Sequence, residues 1–208
     1  EIMDRFCLEA VAKHRKTQHD PAVGCCIIVE IDGEDDAALE AQAKKMEAVA
    51  RQCGVYQFRV AQSQQESDEL WAIRRGLSSA IASLVPNRLG EDISVPRDAF
   101  PEVVRRIGAI AEKHKLTIAV YGHAGDGNIH PSILCDLSKP GEEERVHRAV
   151  GELFDATLAV GGTLSGEHGI GITKRPYIAK ALGEAGVKAL AAVKQALDPK
   201  GILNPGKI

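Results

Sequence analysis

Apolar residues along the chain recur with two different periods, and the changes from one to the other mark out the elements. Residues 1 to about 14 place Ile2, Phe6 and Val11 near one helical face, which predicts an opening helix. Gly24 to Ile31 is a continuous apolar run rich in β-branched side chains, so a buried strand is expected, ended by Asp32-Gly33. Asp35 and Asp36 then open a helix carrying Leu39, Ala43, Met46, Ala50 and Cys53, with Gly54 as its stop. Tyr56 to Val60 predicts a short strand. Residues 66–84 predict a helix with Leu70, Ile73, Leu77 and Ile81 as one stripe. Ile93 to Val95 predicts a short strand before Pro96. Asp98 is placed to cap a helix bearing Phe100, Val103, Ile107 and Ile110. Leu116 to Tyr121 and Ile129 to Leu134 predict two strands joined by a turn at Ala124-Gly125-Asp126-Gly127. A helix from about Glu142 to Val160 turns Val146, Val150, Leu153 and Phe154 inward and breaks at Gly161-Gly162. Glycine-rich loop follows, then a helix over about 176–197 and a tail to Ile208.

Strands and helices in this order, with one hairpin, predict an α+β fold: a ferredoxin-like antiparallel sheet, helices mainly on one face, and a C-terminal helical tail. The one marked change of composition lies near residue 161. It divides the chain into 1–160 and 161–208, the second a glycine-rich loop with its helical tail. The chain is long enough, at 208 residues, to bury a substantial core. Its formal net charge of -3 and the want of a basic stripe with interleaved aromatics speak against nucleic acid as a partner. Cys7, Cys25, Cys26, Cys53 and Cys135 form an odd set without CxxC spacing, read as reduced thiols of an intracellular protein. No apolar run is long enough for a bilayer. The opening at Glu1, without Met and inside a helical pattern, is expected of a piece of a longer protein.

Two short stretches concentrate the chemistry. Gly122-His123-Ala124-Gly125-Asp126-Gly127-Asn128-Ile129-His130 is one; Ser165-Gly166-Glu167-His168-Gly169 is the other. Imidazole and carboxylate are the ligands that zinc or manganese accepts. A hairpin between His123 and His130 brings the two imidazoles together, with Gly125 and Gly127 supplying the positive φ of the turn. Asp126 either orients an imidazole or is simply the Asp of an Asp-Gly turn. Glu167 and His168 are adjacent, so in extended backbone they point in opposite directions. His123, His130 and Glu167 would then hold an ion with positions left open for substrate, and His168 fits a general base. Structural or surface roles for these histidines are the alternative. Arg74 can clamp a carboxylate or be an exposed helix charge, and Trp71 reads as core. Lys174-Arg175 reads as a solvated pair. Asn204 in Asn204-Pro205-Gly206-Lys207 either reaches a ligand or caps the end. His14, His19, His114 and His147 take no assigned role.

Together with Leu70-Trp71-Ala72-Ile73-Arg74, Glu91-Asp92-Ile93-Ser94-Val95-Pro96, Leu164 to Gly171, Lys174-Arg175-Pro176-Tyr177 and the Leu197 to Lys207 tail, these motifs resemble the C-terminal part of the flavin-dependent 2-hydroxyacid dehydrogenases and oxidases. That group belongs to the vanillyl-alcohol oxidase superfamily. The resemblance implies His123, His130 and Glu167 as ligands of a divalent metal, Zn or Mn. It implies His168 as the base for the substrate hydroxyl, Arg74 as the substrate-carboxylate clamp, and Asn204 and Asn128 as residues near the flavin. It implies FAD, bound mainly by a domain that nothing here resembles, a small D-2-hydroxy acid as substrate, 1–160 as the substrate-side cap, and 161–208 as an active-site loop with a tail that returns to the FAD domain. Other subunits of an oxidase complex or an electron-transfer acceptor are the implied partners. Oligomeric state stays open, a homo-oligomer included, and the expected location is the cytoplasm or the periphery of the inner membrane. The sequence His130-Pro131-Ser132 and the absence of a lysine before Glu91-Asp92 favour glycolate or D-lactate over a five-carbon diacid. The rival readings are a non-catalytic metal-binding or subunit-docking domain, which needs neither Arg74 nor His168, and a metallohydrolase, which needs no flavin.

Overall fold

In the computed structural model, which describes residues 1–207, the chain divides into two compact units, Glu1–Leu84 and Val85–Ile208. The first unit pairs β1 (Ile2–Asp4) with β2 (Cys25–Ile27) in antiparallel register. It carries α1 (Arg5–Arg15), α2 (Asp36–Gln52) and α3 (Gln64–Ala82). Met3, Cys7, Ala10, Val11, Leu77, Ala80 and Ile81 form its core, where α1 packs on α3. The expected opening helix is thus preceded by a strand, because Asp4 caps α1 by accepting from the Cys7 N–H at 2.8 Å. The expected buried strand at Gly24–Ile31 is shorter and open to solvent, with Ile27 60% exposed. Tyr56–Val60 forms no strand: its residues have no ladder partner and Tyr56 is exposed. Helix α2 starts where the paired aspartates predict, with Asp35 as its cap.

In the second unit the apolar repeats produce α4 (Phe100–His114) and α5 (Glu142–Ala159), which pack on each other through Val103, Ile107, Ile110, Val150, Leu153 and Phe154. The cap of α4 is Ala99 without a side-chain bond; Asp98 sits one place earlier. Strands β5 (Thr117–His123) and β6 (Asn128–Cys135) form the expected hairpin. On the far edge of β6 lie β3 (Asn87–Gly90) and β4 (Ile93–Ser94), end to end. Every pairing is antiparallel and the class is α+β, as the periodicities predict. Between β3 and β4 the ladder stops at Glu91-Asp92. The Glu91 N–H donates to the Pro131 carbonyl at 2.8 Å, and proline has no N–H to return. This interruption turns Asp92 out of the strand line and toward the hairpin.

After α5 the chain runs back along β4 through reciprocal backbone bonds between Ser94 and Thr163 at 3.1 and 2.7 Å. A single 3₁₀ turn, Arg175–Tyr177, leads into α6 (Ile178–Leu197), which is kinked at Gly183 and buries none of its residues. Beyond α6, Asp198 accepts from the N–H groups of Ile202 and Leu203 at 3.0 and 2.9 Å, and Arg175 donates to the Gly206 carbonyl at 3.0 Å. The functional division expected at residue 160/161 therefore falls inside the second compact unit. No helix among the described residues is long and apolar enough to cross a membrane.

Candidate functional site

The β5–β6 hairpin is the platform. Residues opposite each other on paired strands share a face, and the register sets Tyr121 against His130 and His123 against Asn128. His123 lies two residues beyond Tyr121, so all four side chains rise from one face. The His123 and His130 rings meet edge to face at 5.2 Å. In the turn the Asp126 N–H donates to the His123 carbonyl at 3.0 Å, and the Asp126 side chain is exposed to solvent. Of the two glycines expected to adopt positive φ, only Gly127 does, at 76°; Gly125 does not. The close approach explains Gly127: a Cβ there would fall 2.0 Å from the Val95 carbonyl oxygen. The Val95 N–H in turn donates to the Gly127 carbonyl at 2.9 Å and ties the turn to the end of β4.

Asp92 gathers the second stretch onto this face. Its Oδ2 accepts from the Ser165 hydroxyl at 2.8 Å, the Glu167 N–H at 2.9 Å and the His168 N–H at 2.8 Å. Ser165 Oγ also accepts from the Gly169 N–H at 2.7 Å. The backbone therefore bends at 166–168 and is not extended, and the opposite orientations expected for Glu167 and His168 do not occur. Both side chains come to His130. Glu167 Oε1 lies 3.1 Å from His130 Nε2 and 3.5 Å from His123 Nε2. The His168 ring stacks on that of His130, with centroids 5.4 Å apart and planes 13° from parallel. The bend passes so close to β6 that a Cβ on Gly166 would sit 2.6 Å from the Asn128 amide. The Asn128 side chain is buried there, and its Oδ1 has no hydrogen-bond partner among the described residues.

Burial and charge set the protonation states. Burial pushes the Asp92 carboxyl upward, but the N–H groups of His168 and Glu167, the Ser165 hydroxyl and Lys174 outweigh it and hold the group down at about 2. The Lys174 ammonium, 4% exposed, donates to the Asp92 carbonyl oxygen at 2.7 Å and stands 3.7 Å from Oδ2. Burial lowers its proton affinity, against the pull of Asp92 and Glu91. Lys174 is thus no solvated loop charge: a long-range carboxylate draws it inside. Burial pushes Glu91 up to about 6, with Lys174 opposing and Asp92 adding to the rise. Burial also lowers His130, against the pull of Asp92.

Arg74 lies in the first unit, where its Nε donates to a Glu1 carboxylate oxygen at 2.7 Å, so it is a half-buried ion pair and not an exposed helix charge. Asn204 adopts a left-handed conformation, φ 46°, and borders a surface cavity of about 320 Å³ with Gly171, Lys194 and Lys207. Sequence reasoning gave no role to Asp92 or Lys174. Their signal was the acidic pair Glu91-Asp92 placed directly before an apolar strand, where charge is costly unless it is used.

One nitrogen each from His123 and His130 and one oxygen from Glu167 all lie within 4.8 Å of one another. Nε2 of His130 and Oε1 of Glu167 face each other at hydrogen-bond distance. Two lone pairs so placed repel unless a proton or a cation sits between them, and two imidazoles with a carboxylate are a donor set for Zn²⁺ or Mn²⁺ that leaves positions open. The residues fit a divalent ion.

Residues 1–208 match the family described as FAD linked oxidases, C-terminal domain. The glycolate oxidase subunit GlcD of Bacillus subtilis is 36% identical over 208 residues, covering all of this chain and 44% of that protein. The mitochondrial D-lactate dehydrogenase [cytochrome] 1 of Saccharomyces cerevisiae is 33% identical over 217 residues, covering all of this chain and 36% of its own length. The chain thus spans less than half the length of the curated relatives it matches. Among solved structures, p-cresol methylhydroxylase with substrate bound superposes with a TM-score of 0.65 over 99% of this chain and 45% of its own, at 15% identity, a likeness of fold alone.

Proposed function

The chain belongs to the family of FAD-linked oxidase C-terminal domains, and from that premise we propose that it is the substrate-side part of a flavoenzyme that oxidises a small D-2-hydroxy acid, glycolate or D-lactate, to the 2-oxo acid. The observation that carries this reading is the convergence of His123, His130 and Glu167 with His168 stacked beside them. A relative named as a glycolate oxidase subunit and another named as a D-lactate dehydrogenase support the substrate class. When bound, FAD supplies a hydride acceptor, and a divalent cation supplies positive charge against the substrate's carboxylate and hydroxyl oxygens.

The chain's own residues do the rest. His123, His130 and Glu167 hold the ion. An imidazole nitrogen of His168, in an exposed loop, accepts the hydroxyl proton, and stacking on His130 restrains the ring for that transfer. Asn128, buried with a spare acceptor, orients the reacting end of the substrate. Arg74 takes the substrate carboxylate on the strength of its motif, and Asn204 approaches the flavin edge. The uncovered apolar side chains of α6 and the tail, among them Val193, Leu197 and Ile202, suit packing against a flavin-binding domain, so 161–208 is the segment proposed to return to it. The subunit name borne by the Bacillus subtilis relative supports work within a multi-subunit oxidase.

The test has two parts. Elemental analysis after dialysis is expected to find near-stoichiometric metal in the protein and none after His123→Ala with His130→Ala. In the flavin-loaded enzyme, anaerobic D-lactate or glycolate is expected to bleach the flavin, and His168→Ala to slow that bleaching by about 100-fold or more. Bleaching at an unchanged rate in His168→Ala would refute the assigned base.

A further inference from the structure

Asp92 is fully buried, yet its two oxygens face different parts of the site. Oδ2 is saturated by three donors: the Ser165 hydroxyl and the N–H groups of Glu167 and His168. Oδ1 has no hydrogen-bond partner among the described residues, and neither has Nδ1 of His130. These two buried, unsatisfied atoms face each other at 3.8 Å. That is longer than a hydrogen bond, but a small rotation of the ring closes it, and a donor on Nδ1 would complement the free acceptor on Oδ1.

We infer that Asp92 is a positioning residue with two tasks. Oδ2 holds the 165–168 bend so that Glu167 and His168 reach His130, and Oδ1 keeps the proton of His130 on Nδ1, leaving the Nε2 lone pair for a metal ion. The inference rests on the metal reading above and names the residue that makes His130 competent as a ligand. A carboxylate behind a ligating imidazole acts in this way generally, fixing the tautomer and the ring orientation. Glu167 competes from the other side, favouring a proton on Nε2, but it is 52% exposed and solvated, whereas Asp92 is fully buried, with three donors on Oδ2 and the Lys174 ammonium beside it. The buried charge dominates. Lys174 steadies Asp92 in turn, through the backbone carbonyl and at 3.7 Å from Oδ2.

The donor inventory makes Asp92→Asn a sharp probe. The three donors on Oδ2 require an oxygen, so the asparagine carbonyl must stay with them. Its amide NH₂ then points at His130 Nδ1 and donates to it. The proton moves to Nε2, and the ligand lone pair is lost while the bend is kept.

The experiment combines three readings on the 208-residue chain and on Asp92→Asn. Histidine ¹⁵N NMR of the metal-free protein is expected to show a protonated Nδ1 on His130 in the wild type and a bare Nδ1 in the variant. Mn²⁺ titration followed by calorimetry is expected to show weakening by about 10–100-fold in the variant. Amide exchange at Glu167 and His168 is expected to stay slow in both, which separates loss of the tautomer from loss of the loop. A bare Nδ1 in the wild type would overturn the inference, and so would equal Mn²⁺ affinity in both proteins. Failure of the metal reading looks different: no Mn²⁺ binding by the wild type, with Nδ1 still protonated and dependent on Asp92, would remove the ion and leave the assignment of Asp92 standing.

Discussion

Glu91→Gln tests whether the buried acidic pair is set as described. Glu91 is 3% exposed, and its carboxyl is raised from an ordinary 4.5 to about 6, first by burial and then by Asp92, against the pull of Lys174. The native carboxyl therefore keeps its proton to a higher pH than the unfolded one. Between pH 4.5 and about 6 the native state binds more protons, so stability falls as pH rises through that window. At about 1.4 kcal/mol for each tenfold change in proton affinity, the rise corresponds to roughly 2 kcal/mol. Glutamine carries no charge at any pH. Wild type and variant should thus have similar stability near pH 4.5, and the variant should be more stable by about 2 kcal/mol at pH 8. Urea unfolding at both pH values, with m compared between the proteins, reads this directly. A wild-type-minus-variant difference that does not change with pH would refute the reasoning. So would a variant that is less stable at pH 8, which would mean that the Lys174 attraction outweighs burial.

Three other perturbations follow from the packing. Gly127→Ala forces a side chain onto a residue with φ 76° and sets its Cβ 2.0 Å from the Val95 oxygen; a loss of at least about 2 kcal/mol in denaturant unfolding is expected. Phe154→Ala empties a site 1% exposed, where the ring meets Tyr177 at 4.8 Å. About 3–5 kcal/mol should be lost in chemical unfolding. Asp35→Ala removes the acceptor for the Ala37 N–H at the start of α2; a loss of about 1 kcal/mol in the helix's unit, with earlier fraying by amide exchange, is the expected result.

The regular elements were legible where one period runs long enough to outvote chance. Helices α2 to α5 each show a repeated apolar stripe with local start or stop signals, and each lies close to where the stripe puts it. Short elements failed. Tyr56–Val60 has strand composition but no partner strand, and β3 has a partner in β6 but little strand composition. A strand exists only when another strand takes up its backbone groups, and no local window contains that information.

The same division runs through the site. His123 and His130 were readable as a pair because one hairpin relates them, and the alternation of side chains along paired strands is a local rule. The approach of Glu167 and His168 to that pair was suggested by residue type alone. What brings them there is Asp92, 75 residues upstream of Glu167, through three hydrogen bonds to one oxygen. Lys174 looks from sequence like a solvated charge and is in fact buried against the same residue. The α+β class, most of the helices, the hairpin and the gathering of imidazole and carboxylate side chains in two short stretches were readable from sequence alone, because these follow from periodicity, turn chemistry and residue identity along neighbouring positions. Tertiary structure decided which carboxylate stands behind His130, how the 165–168 loop bends and which charges are buried. Those depend on contacts between segments far apart in the chain, where the desolvation of a group is settled by whatever folds over it.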